Sequence, residues 1–88
     1  MVTWKVEYTK QAVKDLEKIK QASLTSSVKG LVEILKVNPY QNPPPYEKLV
    51  GDLSGAYSRR INIKHRLVYS IDKDKRYVRI LRMWTHYE

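Results

Sequence analysis

The sequence predicts an α+β domain in which a helical hairpin packs on one face of a single, mainly antiparallel sheet. Three observations support this class. Apolar residues recur at helical spacing in two stretches before residue 38, they alternate at period two in the stretches on either side, and the chain has only 88 residues. Helices and sheets each bury one side, so two layers around one core satisfy both patterns. We therefore expect one domain over residues 1–88.

The N-terminal part of the chain predicts a strand followed by two helices. Apolar and polar residues alternate over residues 2–8, which is typical of a half-buried strand. Thr9 can cap the first helix, and Pro39 ends the second. The apolar stripe of the first helix is Ala12, Val13, Leu16 and Ile19, and that of the second is Val28, Leu31, Val32 and Leu35.

All four prolines of the chain lie between residues 38 and 45, together with two asparagines. Because proline fixes φ, the run at residues 43–45 is expected to be stiff and extended. We interpret the segment as a rigid strap that delivers residues 46–49 to a fixed place. The alternative is a proline-rich ligand for another protein, although no flanking motif supports it.

Three strands are predicted in the C-terminal half, which completes the order strand, helix, helix, strand, strand, strand. The first two lie within residues 57–71 and the last covers residues 77–84. Residues two apart share a face of a strand. If the alternating apolar positions face the core, Arg60 and Arg66 stand together on the wetter face. These positions include Ile61, Ile63, Leu67, Tyr69 and Ile71. Paired guanidinium groups can bind phosphate. The alternative interpretation is that Arg60 and Arg66 are ordinary solvated side chains.

The composition points to polyanionic partners. Seventeen basic and nine acidic residues give a net charge of +8 and a pI near 9.8, which favours nucleic acid, an anionic membrane or an acidic protein. The absence of cysteine excludes disulfides and thiolate metal sites, and two histidines are too few to suggest a structural zinc site. Because the acidic residues are scattered and no phosphate-binding glycine loop or dinucleotide fingerprint is present, we expect no metal and no cofactor. No apolar run approaches the roughly 20 residues of a membrane-spanning helix, and no signal peptide is recognisable. We expect a cytoplasmic protein without a membrane partner.

The remaining chemistry is metal-free acid–base catalysis by glutamate, histidine, arginine and tyrosine side chains, and RNA is a substrate that allows it. An RNA 2′-hydroxyl attacks the adjacent phosphate when a base removes its proton, a cation stabilises the added negative charge, and an acid protonates the departing 5′-oxygen. Glu47, Arg66 with Arg60, and His86 supply these three roles if the fold brings them together. The alternative is that Glu47 and His86 are solvated surface side chains. His65, at a strand turn, is interpreted as structural.

Four segments together resemble the Txe/YoeB family of toxin–antitoxin ribonucleases, which belongs to the wider RelE-like group. They are Glu47-Lys48-Leu49, the run from Asp52 to Ile61, the run from His65 to Tyr69, and His86-Tyr87. The resemblance is close over the C-terminal half, and length and predicted element order are similar throughout. It implies the RelE-like microbial ribonuclease fold and a single toxin domain over residues 1–88.

The resemblance also implies an activity, namely metal-independent cleavage of messenger RNA on the translating ribosome. In the family pattern the general base falls on Glu47 and the phosphate-stabilising arginine on Arg66, with support from Arg60. The catalytic histidine falls on His86, as general acid, and the adjoining tyrosine on Tyr87.

Three positions depart from the family pattern. Tyr46 stands where the family usually has proline, Val50 where it often has lysine, and Glu88 follows the final histidine–tyrosine pair. Lys48 and Arg59 are further candidates for binding RNA phosphate, and the sequence leaves open whether Lys48 reaches the phosphate that the family's lysine would contact from position 50.

The partners that the resemblance implies are an acidic, partly disordered antitoxin of the YefM/Axe type, messenger RNA on the ribosome, the ribosomal RNA surface and, in a homodimer, a second copy. A basic toxin suits a flexible acidic segment that folds as it binds. Two alternatives remain. One is a non-catalytic nucleic-acid-binding domain, and the other is a protein-interaction module whose charge serves only an acidic partner.

Overall fold

A computed structural model describes residues 3–50 and 55–84. The elements in chain order are β1 (Lys5–Tyr8), α1 (Lys10–Gln21), α2 (Thr25–Val37), β2 (Tyr46–Lys48), β3 (Ala56–Arg60), β4 (Arg66–Asp72) and β5 (Tyr77–Arg82). The strands form one sheet in the order β1-β5-β4-β3-β2. β1 is parallel to β5, and the other pairs are antiparallel. The predicted α+β class is confirmed. Within the described residues no helix has the length and apolar character needed to cross a membrane.

The sheet has one strand more than the sequence predicts. Residues 46–48 pair with β3 as a short edge strand, in which Glu47 lies opposite Ser58. Three residues are too few for a period-two pattern to be recognised, so the strap interpretation located this segment without identifying it as a strand.

The first helix buries the predicted stripe except for Val13, since Ala12 and Ile19 are buried and Leu16 packs against the core. Its start is as predicted, because the Thr9 hydroxyl accepts a hydrogen bond from the Ala12 backbone N–H at 3.1 Å. Ala12, Asp15 and Ile19 are buried, whereas Val13 is 55% exposed. Positions i, i+3 and i+7 share a helix face, and position i+1 is rotated about 100° away. The assignment of Val13 to the core was therefore wrong, and Asp15 occupies the buried face.

The core lies between the two helices and the inner face of the sheet. The second helix contributes its predicted stripe of Val28, Leu31, Val32 and Leu35, and the central strands contribute Leu67, Tyr69, Val78 and Ile80. Ile61 is buried as predicted, but Ile63 is 90% exposed. The prediction for Ile63 was wrong because β3 ends at Arg60, so residues 61–64 turn toward β4 and no longer alternate.

The proline-rich strap is fixed, although it is not straight. Residues 43 and 44 form a bend, so the expected extended run does not form. The guanidinium of Arg59 donates hydrogen bonds to backbone carbonyls along the strap, those of Pro39, Gln41 and Pro44. These bonds hold the segment against β3, and the chain then continues directly into β2.

Candidate active site

Three of the residues selected from the sequence meet on the sheet face opposite the helices. Leu67 and Tyr69 of β4 belong to the core, so Arg66, which alternates with them, points to the outer face. The strand register places Arg60 opposite Arg66 and Glu47 opposite Ser58. A cavity of about 240 Å³ lies here, lined by Pro45, Tyr46, Glu47, Ser58, Arg60 and Arg66.

Glu47 and Arg66 form an ion pair across this cavity. Nη1 of Arg66 lies 3.3 Å from Oε2 of Glu47, and the same nitrogen donates a hydrogen bond to Oγ of Ser58 at 3.2 Å. The Arg66 side chain is 17% exposed, whereas that of Glu47 is 65% exposed. The buried serine hydroxyl therefore fixes the guanidinium, and the carboxylate remains open to an incoming ligand. Ser58 was not selected from the sequence, where it was visible only as a residue that shares a strand face with Arg60.

Arg59 must be removed from the candidate phosphate ligands. Arg59 is only 1% exposed. Its guanidinium donates four hydrogen bonds, three to strap carbonyls and one from Nε to the Tyr69 hydroxyl at 3.0 Å. Burial raises the pKa of Tyr69 to about 12, even though the nearby Arg59 charge acts in the opposite direction. The hydroxyl is therefore neutral at physiological pH. Arg59 points to the inner face because it alternates with Ser58 and Arg60.

Lys48 does not share the cavity of Glu47. It lines a second cavity on the other face of β2, together with Tyr40, Tyr46, Tyr57 and Lys73. This placement follows from strand geometry, since adjacent residues of β2 point to opposite faces. Of the residues that the structure describes, Tyr46 alone lines both cavities.

Asp15 fixes the chain just beyond β5, a role that the sequence analysis missed. Its Oδ2 accepts hydrogen bonds from Arg82 Nε at 3.0 Å and from the backbone N–H groups of Met83 at 2.9 Å and Trp84 at 3.3 Å, and Oδ1 accepts one from Gln11. Burial acts to raise the pKa of this carboxyl, but the hydrogen bonds lower it below its usual range. The available signal was an acid three residues after Ala12 on an apolar helix face.

The segment fixed by Asp15 lies beside the arginine strand. The Trp84 ring stacks on His65, with 3.7 Å between ring centroids and 20° between planes, and His65 is buried and immediately precedes Arg66. This packing agrees with the structural role expected for His65. The predicted catalytic residues His86 and Tyr87 lie outside the described residues. Across residues 3–50 and 55–84, no three histidine, aspartate or glutamate side chains are grouped so that they could hold a metal ion.

The comparisons with known proteins agree with one another. The model of a family described as the YoeB-like toxin of bacterial type II toxin–antitoxin systems matches residues 8–87. The Toxin YoeB of Streptomyces coelicolor is 38% identical over 52 residues, which is 59% of this chain and 62% of that protein. The Toxin YoeB of Synechocystis is 40% identical over 52 residues, 58% of this chain and 60% of that protein. These matches thus span about three fifths of the curated relatives.

Solved structures extend the similarity over nearly the whole chain. The YoeB/ParE toxin from Agrobacterium tumefaciens superposes with a TM-score of 0.84 at 27% identity, covering 94% of this chain and 99% of that one. A YoeB–YefM complex from Staphylococcus aureus gives 0.77 at 30% identity over 96% and 98% of the two chains. A YoeB dimer from the same organism gives 0.78 at 29% identity over 96% and 98%.

Proposed function

The chain belongs to the YoeB-like toxin family of bacterial type II toxin–antitoxin systems, and on this premise we propose that it is a metal-independent endoribonuclease that cleaves messenger RNA on the translating ribosome. The observation that carries the proposal is the placement of Glu47 and Arg66 3.3 Å apart in one open cavity that Arg60 also lines. A base and two permanent cations at one surface are what 2′-hydroxyl attack on a phosphodiester requires.

Glu47 is proposed as the general base. Its largely exposed carboxylate would take the proton of the 2′-hydroxyl as the 2′-oxygen forms a bond to phosphorus. The bond from phosphorus to the 5′-oxygen then breaks, which leaves a 2′,3′-cyclic phosphate on the upstream product. No external nucleophile is needed, because the substrate supplies its own.

Arg66 and Arg60 are proposed to stabilise the phosphorane. The Arg66 guanidinium is held by Ser58, so little reorganisation is required when charge develops on the phosphate oxygens. The guanidinium fork matches two phosphate oxygens at once. Arg60 lies opposite Arg66 in the strand register and is exposed, so it can add a second positive charge from the neighbouring strand.

His86 is proposed as the general acid that protonates the departing 5′-oxygen, with Tyr87 beside it. This assignment rests on the family pattern and on the position of Trp84, which stacks on the chain neighbour of Arg66. His86 follows Trp84 by two residues, and two residues span at most about 7 Å.

The proposed partners follow from charge and from the solved relatives. A net charge of +8 suits both ribosomal RNA and an acidic, partly disordered antitoxin of the YefM/Axe type. The relatives in Staphylococcus aureus were solved as a complex with YefM and as a dimer, so we propose an antitoxin complex and a homodimer for this chain. Action on ribosomes would place the protein in the cytoplasm.

The test is to map cut sites on one messenger, with and without ribosomes, for wild type, Glu47→Ala, Arg66→Ala and His86→Ala. Glu17→Ala, an exposed acid of α1, is the matched control. We expect scission only by wild type and the control, and only with ribosomes. Equal cleavage by all five proteins would refute the site assignment. Salt-sensitive RNA binding without scission by wild type would favour the non-catalytic binding domain.

A further inference from the structure

The second cavity, on the inner side of β2, combines aromatic rings with positive charge. Its volume is about 520 Å³, and its lining consists of Tyr40, Tyr46, Lys48, Tyr57 and Lys73. This is within the size range of small-molecule sites, roughly 300–1,000 Å³. Among the described residues the lining contains two ammonium groups and no carboxylate, and the catalytic proposal uses neither lysine.

The tyrosines hold one another in fixed orientations. Tyr57 meets Tyr46 edge to face, with ring centroids 5.7 Å apart, and it meets Tyr40 in the same way at 6.2 Å. Beneath them, Tyr57 stacks on the buried Tyr69 at 5.9 Å. The three lining rings remain half-buried, so part of each ring is open to the cavity. Such a cluster is a rigid stacking platform, since each ring is held by its neighbours.

Both lysines are available to bind an anion. Lys48 and Lys73 are exposed, and neither forms a salt bridge with a carboxylate of the described residues, whose pairs involve other side chains. They come from separate elements, β2 and the turn after β4, and both line the one cavity. An ammonium group with free donors beside an aromatic platform is the usual arrangement for single-stranded nucleic acid.

The two cavities adjoin across a single strand. β2 is the last strand of the sheet, Tyr46 lines both cavities, and Glu47 and Lys48 point to opposite faces. An extended RNA chain can therefore pass over the edge of β2 from one cavity to the other. No partner strand among the described residues covers the outer edge of β2.

We propose that this cavity binds a nucleotide flanking the cleavage site of the same single-stranded RNA, with its base against the tyrosines and its phosphate at Lys48 and Lys73. The inference rests on the proposed function and extends it to substrate positioning. An acidic protein segment would satisfy the lysines, but it would leave the aromatic platform and its continuity with the catalytic cavity without a role.

The experiment measures binding of a fluorescent 2′-O-methyl oligoribonucleotide, which cannot be cleaved because its 2′-hydroxyls are blocked. The intact chain is compared with the double variant Lys48→Gln/Lys73→Gln and with the control Lys14→Gln/Lys20→Gln, which removes the same charge from the exposed face of α1. Each phosphate contact contributes about 0.7 to the slope of log affinity against log salt. Because both lysines are placed at one phosphate, we expect the cavity variant to lose about 0.7 of that slope and the control to keep it.

A second variant tests the aromatic platform without changing charge. Tyr46→Leu should weaken binding about five- to 150-fold, the range for removing one base–aromatic stack, and should leave the salt slope unchanged. Thermal unfolding of each variant checks that the fold is retained. Equal slopes for the two double variants, or unchanged affinity of Tyr46→Leu, would overturn the proposal. The proposal would also be overturned if Lys48→Gln/Lys73→Gln lost affinity for a poly-glutamate peptide but bound RNA as wild type does. The occupant of the cavity would then be an acidic protein.

The binding experiment tests this proposal separately from the proposed function, which the cleavage experiment tests. If Glu47→Ala abolishes scission while the cavity variants bind RNA as the controls do, the catalytic proposal stands and this one fails. If no protein cleaves RNA but Lys48→Gln/Lys73→Gln selectively loses binding, the cavity is an RNA site and the catalytic proposal fails.

Discussion

Two arginine–carboxylate pairs in this molecule use the same chemical groups for opposite purposes. Asp15 and Arg82 meet at 3.0 Å, with the Asp15 side chain 1% exposed and that of Arg82 41% exposed. Glu47 and Arg66 meet at 3.3 Å, with the carboxylate 65% exposed and the guanidinium 17% exposed. In the first pair the carboxylate is the more buried partner, whereas in the second pair the guanidinium is.

This difference determines what each pair can do. The Asp15 carboxylate accepts four hydrogen bonds, two of them from the backbone after β5, so it has little capacity left for a ligand. Glu47 has one close cationic partner and is open to solvent. A buried, saturated acid anchors the chain, whereas an exposed acid beside a fixed guanidinium remains accessible to a ligand. The two arginines at the end of β3 repeat the contrast, since Arg59 is buried and Arg60 is exposed.

The sharpest test of the contrast is Glu47→Gln, which keeps the size of the side chain and removes its basicity. We expect messenger cleavage to fall by about 10²–10⁴-fold, the usual contribution of a general base. Stability should change by less than about 1 kcal/mol, because an exposed ion pair contributes little. Cleavage rates and thermal unfolding are measured beside Glu17→Gln. A large loss of stability with retained cleavage would make Glu47 an anchor of the same kind as Asp15.

Neighbouring arginines should differ as strongly as the two acids. Arg59→Met leaves the carbonyls of Pro39, Gln41 and Pro44 without their donor, and we expect a loss of about 3–5 kcal/mol, as for other broken buried charge networks. Arg60→Met removes an exposed side chain and should cost less than about 0.5 kcal/mol. Urea unfolding of both variants measures this. Similar losses would show that the burial of Arg59 does not govern its contribution.

Asp15→Asn tests the anchor at the end of β5. It replaces the carboxylate acceptor by a neutral amide, which weakens the hydrogen bonds donated by Arg82, Met83 and Trp84, so we expect a loss of about 2 kcal/mol at pH 7. The stacked Trp84 should also become more accessible, which quenching of tryptophan fluorescence reports. The exposed Asp74→Asn is the control, and equal effects of the two substitutions would contradict the anchor role.

The smallest effect expected is in acid. The folded-state pKa of Asp15 lies below its ordinary value of 3.8, so the ionised form stabilises the fold above about pH 4 and this contribution is lost as the pH falls through the lowered pKa. The stability difference between wild type and Asp15→Asn should therefore be constant from pH 7 to 5 and shrink below about pH 4. Urea unfolding across this range measures it. A difference that widens in acid would mean that the pKa is raised instead.

The sequence by itself determined those features that depend on local periodicity. The helical hairpin, the stripe of α2 and the opposition of Arg60 to Arg66 all follow from spacings of two, three or four residues, because these spacings fix which side chains share a face. The resemblance to the Txe/YoeB family was also identified from the sequence, in four short segments. The family match and the structural comparisons confirm it.

Only the tertiary structure decided how individual polar side chains are used. Arg59 and Arg60 are chemically identical neighbours, and their roles separate because strap carbonyls approach one face of β3 and solvent the other. Asp15 became an anchor because backbone N–H groups from the other end of the chain lie against α1, and Glu47 met Arg66 because β2 pairs with β3. Hydrogen bonds between segments distant in sequence depend on how those segments pack. The local pattern of residues does not predict that packing.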